Sequence, residues 1–147
     1  MARRILLRFE RGGSVIATLL EDRAPRTCRA VLASLPVENK VVHAMWAGEE
    51  IFFNEFPISG RLEYENSTNE VKPGDVAVIS PQALPSLGKR HTAFCIFYGK
   101  SRPRKSVDQT VDVNVFAEIG EVEKIADIGK RIRMGGQEKI RIEEFKL

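Results

Sequence analysis

The stretch VVHAMWAGEEIFFNEF, residues 41–56, gathers the chain's only tryptophan, Trp46, one of its two histidines, His43, and two adjacent carboxylates, Glu49 and Glu50. A carboxylate tuned by burial can act as a general acid or base, and one that faces a cleft attracts a cationic or hydrogen-bond-donating ligand. Neighbouring residues on an extended strand point to opposite sides, so at most one of the pair faces inward unless a bend at Gly48 twists the strand. Buried, such a glutamate must be paired or its pKa rises. Trp46, Phe52 and Tyr98 are candidate apolar walls for a cleft; the competing expectation is that Trp46 and Phe52 simply pack in the core. No nucleophile with a base at recognisable spacing accompanies the acids. His43 reads as a satisfied core or hydrogen-bonding residue. Asn114, inside an apolar run, must find a partner, either by orienting a cleft group or by tying a loop down.

Cys28 and Cys95 fall within apolar patterns, which suits buried thiols in a reducing compartment rather than a disulfide. His91 and Cys95 are four positions apart with no second close pair of ligand residues, so no metal site is expected. No cofactor is implied either.

The 147 residues, 43% of them apolar, fit one globular domain spanning 1–147. Lys and Arg number 23 against 20 Asp and Glu, a formal charge of only +3. Basic clusters at Arg3–Arg4, Lys89–His91, Arg102–Lys105 and Lys130–Arg133 are mostly separated by acids, and read as solvated surface; nucleic-acid binding through them is a third-ranked function. Arg8 breaks the first apolar window, and no run approaches the roughly 18 residues that span a bilayer. A cytoplasmic protein with no membrane segment is expected. The charged fraction of 29% leans toward a thermophilic source.

RRILLRF and SVIATLL read as a hairpin turned at Gly12–Gly13. EDRAPRTCRAVLASLP places Ala24, Cys28, Val31, Leu32 and Leu35 at helical spacing, opened by Pro25 and closed by Pro36. VVHAM and EEIFF are strands with a bend at Ala47–Gly48. Residues 57–74 read as loop with a short strand at Arg61–Tyr64. DVAVIS is a strand, PQALPSLGKRH a long loop, and TAFCIFY an apolar strand buried on both sides. The basic loop GKSRPRKSVDQT leads to the strand VDVNVFAEI. EVEKIADIG is a short helix stopped by Gly129, and EKIRIEEFKL alternates as a final strand. These elements predict a mainly β fold, a closed eight-stranded barrel with two short helices covering its ends.

In order and spacing, LEDRAPRTCRAVLASL, KPGDVAVIS, VDVNVFAEIGEVEKIADI and EKIRIEEFKL resemble a cyclophilin-type barrel over nearly the whole chain. WAGEEIFF, AFCIFYGKS and VNVFAEI resemble more closely the small bacterial and archaeal cyclophilin-like proteins of unestablished function. The Ala47 insertion and the long Pro81–Thr92 loop depart from that pattern.

The resemblance implies prolyl isomerisation, which requires an arginine on the prolyl amide and an apolar pocket for the ring. Ala44 stands where the family has that arginine after its histidine. Glu49 and Glu50 stand in place of the pocket phenylalanine and methionine, Phe52 and Ala93 in place of glutamines, Cys95 in place of a second phenylalanine, Val113 in place of a histidine, and Pro103 in place of a tryptophan. Both requirements are lost. The expected function is therefore a cyclophilin-like barrel binding a small ligand or peptide in a cleft lined by Ala44, Trp46, Glu49, Glu50, Phe52, Cys95, Tyr98, Val113 and Asn114. The alternative is an isomerase borrowing a cation from Arg90 or Arg102. Homo-oligomerisation is left open.

Overall fold

The computed structural model describes residues 2–58, 61–81 and 92–146. Its strands are β1 (Arg4–Phe9), β2 (Ser14–Leu19), β3 (Val37–His43), β4 (Gly48–Phe56), β5 (Ser67–Thr68), β6 (Asp75–Ile79), β7 (Thr92–Ser101), β8 (Arg104–Ser106), β9 (Gln109–Thr110), β10 (Val113–Ile119) and β11 (Glu138–Phe145). Helix α1 spans Pro25–Ser34 and α2 spans Val122–Gly135. Eight strands run antiparallel in the order β2-β1-β11-β3-β4-β7-β6-β10, and β10 pairs back with β2 to close the barrel. Closure leaves the barrel wall without a free edge. β8 and β9 form a separate two-stranded ribbon.

Alternation explains most of the wall. Ile5, Leu7 and Phe9 on β1 and Val15, Ala17 and Leu19 on β2 are buried at every second position, with Arg4, Ile16 and Thr18 among the residues turned outward. β6 and β7 are buried at consecutive positions because two apolar layers sandwich them. Val76, Val78, Phe94, Ile96 and Tyr98 belong to the barrel interior; Ala77, Ile79, Ala93, Cys95 and Phe97 belong to a second layer on the other side of the wall, with Val111, Val113 and Val115. Inside, Phe53 and Phe56 stack on Phe94 at 5.3 and 5.2 Å between centroids.

α1 begins at Pro25 and buries Thr27, Cys28 and Val31, with Leu32 and Leu35 partly covered. Its free N-terminal N–H groups are capped from a distance: Glu65 accepts from the Arg26 N–H at 3.1 Å, the Thr27 N–H at 2.7 Å and the Thr27 hydroxyl at 2.8 Å. Burial pushes this carboxyl up, but the Thr27 and Arg26 bonds outweigh it and hold Glu65 below its ordinary range.

Three boundaries differ from the sequence expectation. α2 continues past Gly129 to Gly135, because Gly129 is a packing position against Tyr98 and the chain leaves the helix at Gly136, whose φ is +88°. Residues 61–64 form no strand: the Asn114 side chain donates to Glu63 O at 2.9 Å and accepts from Glu65 N at 3.2 Å, so a side chain takes backbone groups that a ladder would use. The basic loop holds the β8–β9 ribbon. The 82–91 part of the long loop, with Arg90 and His91, lies outside the described residues.

Glu138, buried at the start of β11, ties the β1–β2 turn to α2. It accepts from Arg11 N at 2.7 Å and Arg131 Nε at 2.9 Å, and pairs with the Arg11 guanidinium at 3.4 Å. Glu138→Ala leaves the Arg11 N–H without its acceptor and the two guanidinium groups with only the carbonyls of Gly135, Gly136 and Gly12, and since both arginines are partly solvated the loss is expected at about 2–3 kcal/mol, read as a lower urea midpoint.

Candidate functional site

β4 and β7 pair as Glu50↔Phe97, Ile51↔Ile96, Phe52↔Cys95 and Phe53↔Phe94. Ile51 and Phe53 point into the barrel, so alternation turns Glu50 and Phe52 to the other face, beside Cys95 and Phe97. Glu50 is 5% exposed, an acid in an otherwise apolar layer. The Cys95 thiol is its hydrogen-bond donor. Burial pushes the Glu50 carboxyl up to about 7, and the thiol only partly opposes this. Cys95 in turn is driven well above its ordinary value, by burial first and by the Glu50 charge second. It is an inert thiol that serves as a donor.

Gly48 makes this arrangement possible. Its φ of +104° lets the chain leave the Met45–Ala47 3-10 turn, and a Cβ there would come within 2.7 Å of Lys100 O. The turn carries Trp46 over the site: its ring meets Phe52 edge-on at 5.6 Å, and its Nε1–H donates to Arg104 O at 3.1 Å. Trp46 stays 48% exposed and Phe52 partly so, which departs from core packing for this pair. Ala44 is buried beside them and donates its N–H to Glu50 O at 2.9 Å, offering only a methyl group where a guanidinium would be needed.

Glu49 takes a different direction. Its Oε1 accepts from Lys100 N at 3.0 Å, and its side chain fills the space above Gly99, where a Cβ would clash with it. Tyr98 is also elsewhere: it faces the barrel interior under α2 and meets His43 Nε2 at 2.7 Å through its hydroxyl. Burial lowers the His43 pKa, Arg133 adds to this and Glu49 opposes it. Among the described residues the buried His43 Nδ1 has no hydrogen-bond partner. Asn114 faces the 63–65 segment and Thr27 and ties that loop to the barrel. Val113 shares the outer apolar layer, on β10, beyond β6 from β7.

The structure thus brings together Glu50, Phe52, Cys95, Trp46 and Ala44, and leaves Glu49, Tyr98 and Asn114 out of the group. Sequence reasoning missed Phe97, although the period of two that selects Cys95 selects it as well. The Arg104 carbonyl that orients Trp46 carries no sequence signal, because any residue supplies a carbonyl. Among the described residues no three His, Cys, Asp or Glu converge as a metal site would require, and no helix is long and apolar enough to cross a membrane.

A family model described as protein of unknown function (DUF3830) matches residues 9–144. The chain belongs to this family. The DUF3830 chain is similar in structure to the hypothetical protein AF2241 from Archaeoglobus fulgidus, with 29% identity, 98% of this chain and 95% of that one covered, and a TM-score of 0.65. It is also similar to McbB, solved in complex with tryptophan, at 14% identity and a TM-score of 0.71, covering 95% of this chain and 44% of McbB. At that identity the likeness is one of fold. No curated protein matches the DUF3830 chain in sequence.

Proposed function

We propose that this chain is a cyclophilin-like binding barrel whose outer β4–β7 face takes a small ligand or peptide, with Glu50 accepting a hydrogen bond from an amide or similar donor and Trp46 and Phe52 holding its apolar part. The observation that carries the reading is Glu50 itself: a carboxyl held in an apolar layer at about 7, two residues along β4 from Phe52, whose ring meets the half-exposed Trp46. Burial without ionic pairing is unfavourable for folding, and such groups concentrate where a site uses them. The order of motifs along the chain and the closed barrel support the cyclophilin-like assignment. Ala44 opposes prolyl isomerisation, since the arginine that stabilises the twisted amide has no counterpart there.

Because Trp46 is the only tryptophan, its emission reports directly on the site. Titration with N-acetyl-leucinamide is expected to give a saturable change that weakens at least about tenfold in Glu50→Leu, the energy of one hydrogen bond to a charged acceptor, and little in Glu49→Gln. An unsaturable response, or equal affinity in Glu50→Leu, contradicts the proposal. In the same preparation a proline tetrapeptide is expected to isomerise at its uncatalysed rate; acceleration lost in Arg102→Ala would install the isomerase reading instead.

A further inference from the structure

Beside Trp46 the surface combines apolar exposure with unneutralised positive charge. Met45, Trp46 and Val107 are 63%, 48% and 80% exposed. Met45 and Trp46 lie on the 3-10 turn and Val107 on the β8–β9 hairpin, and two bonds lock these segments together: Trp46 Nε1 to Arg104 O at 3.1 Å, and Arg102 N to Ala47 O at 2.8 Å. Residues 100–112 carry Lys100, Arg102, Arg104 and Lys105 against Asp108 and Asp112, most of the chain's net +3. None of the four cations forms an ion pair with a described carboxylate. Arg102 Nη1 reaches only Asn69 Oδ1 at 3.2 Å and Arg104 Nη1 only Val107 O at 2.7 Å, both neutral acceptors. The acids nearby are engaged otherwise: Asp108 with Ser106, Asp112 with Asn69, Glu49 with the Lys100 N–H.

This contrasts with the β1–β11–β3 face, where Arg8, Arg141 and Lys139 each meet Glu143 or Glu38. Those three cations are neutralised within the face. At the hairpin the charge is left for a partner, and among the described residues no third strand pairs with the ribbon: the Trp46 indole takes the Arg104 carbonyl on the outer side of β8, and the outer edge of β9 suits the addition of an extended chain. A strand edge selects a polypeptide over a nucleic acid, which would use the cations but not the backbone groups.

We infer that the edge formed by the 3-10 turn and the β8–β9 hairpin docks an extended acidic peptide segment of a partner protein, with an apolar side chain against Trp46 and its carboxylates on Arg102, Arg104 and Lys105. The inference rests on the reading of the Glu50 face as a binding surface and names its partner.

The test uses the full chain and the peptide acetyl-Asp-Glu-Leu-Glu-Asp-amide, with acetyl-Lys-Lys-Leu-Lys-Lys-amide and oligothymidylate as comparisons, all read by Trp46 emission. The acidic peptide is expected to bind saturably, at least about tenfold tighter than the basic one, and to weaken by a similar factor in the Arg102→Ala, Lys105→Ala double variant and on raising salt from ~50 mM to ~300 mM. Equal binding of both peptides, no binding of either, or tighter binding of oligothymidylate overturns it. The arms separate the two claims. Peptide binding that depends on the cations and survives Glu50→Leu upholds the docking edge while removing Glu50 from the site. Loss in Glu50→Leu without dependence on the cations upholds Glu50 and removes the docking edge.

Discussion

Glu50→Gln is expected to make the protein more stable than the wild type at pH 8, and to lose that advantage as the pH falls toward 4.5. The unfolded chain ionises this carboxyl near 4.5 and the folded chain near 7. Between these values the native state holds a proton that the unfolded state has released, so wild-type stability falls as pH rises through the window. The contribution is fully present below about 4.5 and fully lost above about 7. A gap of this size corresponds to something on the order of 3 kcal/mol. Other groups titrate over the same range, and the difference between wild type and variant isolates Glu50. Urea unfolding of both proteins across pH 4–8 in steps of about one unit measures it; parallel curves would show that Glu50 ionises as an ordinary surface carboxyl does.

A second large effect lies in α2, where Gly129→Ala is expected to destabilise although alanine is the better helix former by about 1 kcal/mol. The helix buries Ile125, Ile128 and Ile132 against the barrel, and at Gly129 the backbone rests on the Tyr98 ring. A Cβ would stand 2.3 Å from Tyr98 Cδ2 and 2.4 Å from its Cγ. Tyr98 cannot retreat freely, because it is fully buried and its hydroxyl is bound to His43. Either α2 shifts or the His43–Tyr98 bond breaks. We expect a net loss of about 2 kcal/mol, within the usual range for overpacking, and hence a melting temperature lower by roughly 4–8 °C in a chain of this size. Gly120→Ala is the control, since a Cβ there meets nothing within 4 Å. Equal effects at the two positions would refute the packing argument.

Much of the fold was legible because it depends on simple periodicity. The alternation of Ile5, Leu7 and Phe9 and of Val15, Ala17 and Leu19, the Pro25 helix start and the apolar run of β7 each follow from one local rule. What escaped depends on partners far along the chain. A glycine that ends a helix and one that packs on a tyrosine look alike in sequence, so the pattern alone ends α2 at Gly129 instead of Gly135. Residues 61–64 have strand-like composition, yet Asn114 bonds that segment's backbone from 51 positions away. The β8–β9 ribbon is hidden by the basic residues that decorate it.

The candidate site was legible in part for the same reason. Alternation separates Glu49 from Glu50 and groups Phe52 with Glu50, but which set faces outward depends on barrel register. Tyr98 reads in sequence as an apolar wall of the cleft, but it lies three strand positions from Cys95 and so on the opposite face. Trp46 left the strand pattern altogether when the chain turned at Met45–Ala47. Its exposure follows from that turn and from the Arg104 carbonyl that holds the indole.

The central claim is that Glu50 is a buried, tuned acceptor that meets a ligand donor, and a carbon-13 NMR titration of its side-chain carboxyl, assigned with Glu50→Gln, tests it most directly. The expected midpoint is about 7 in the free protein, moving downward with saturating N-acetyl-leucinamide because a donor favours the ionised form. A midpoint near 4.5, or one near 7 that the amide leaves unmoved, would contradict it.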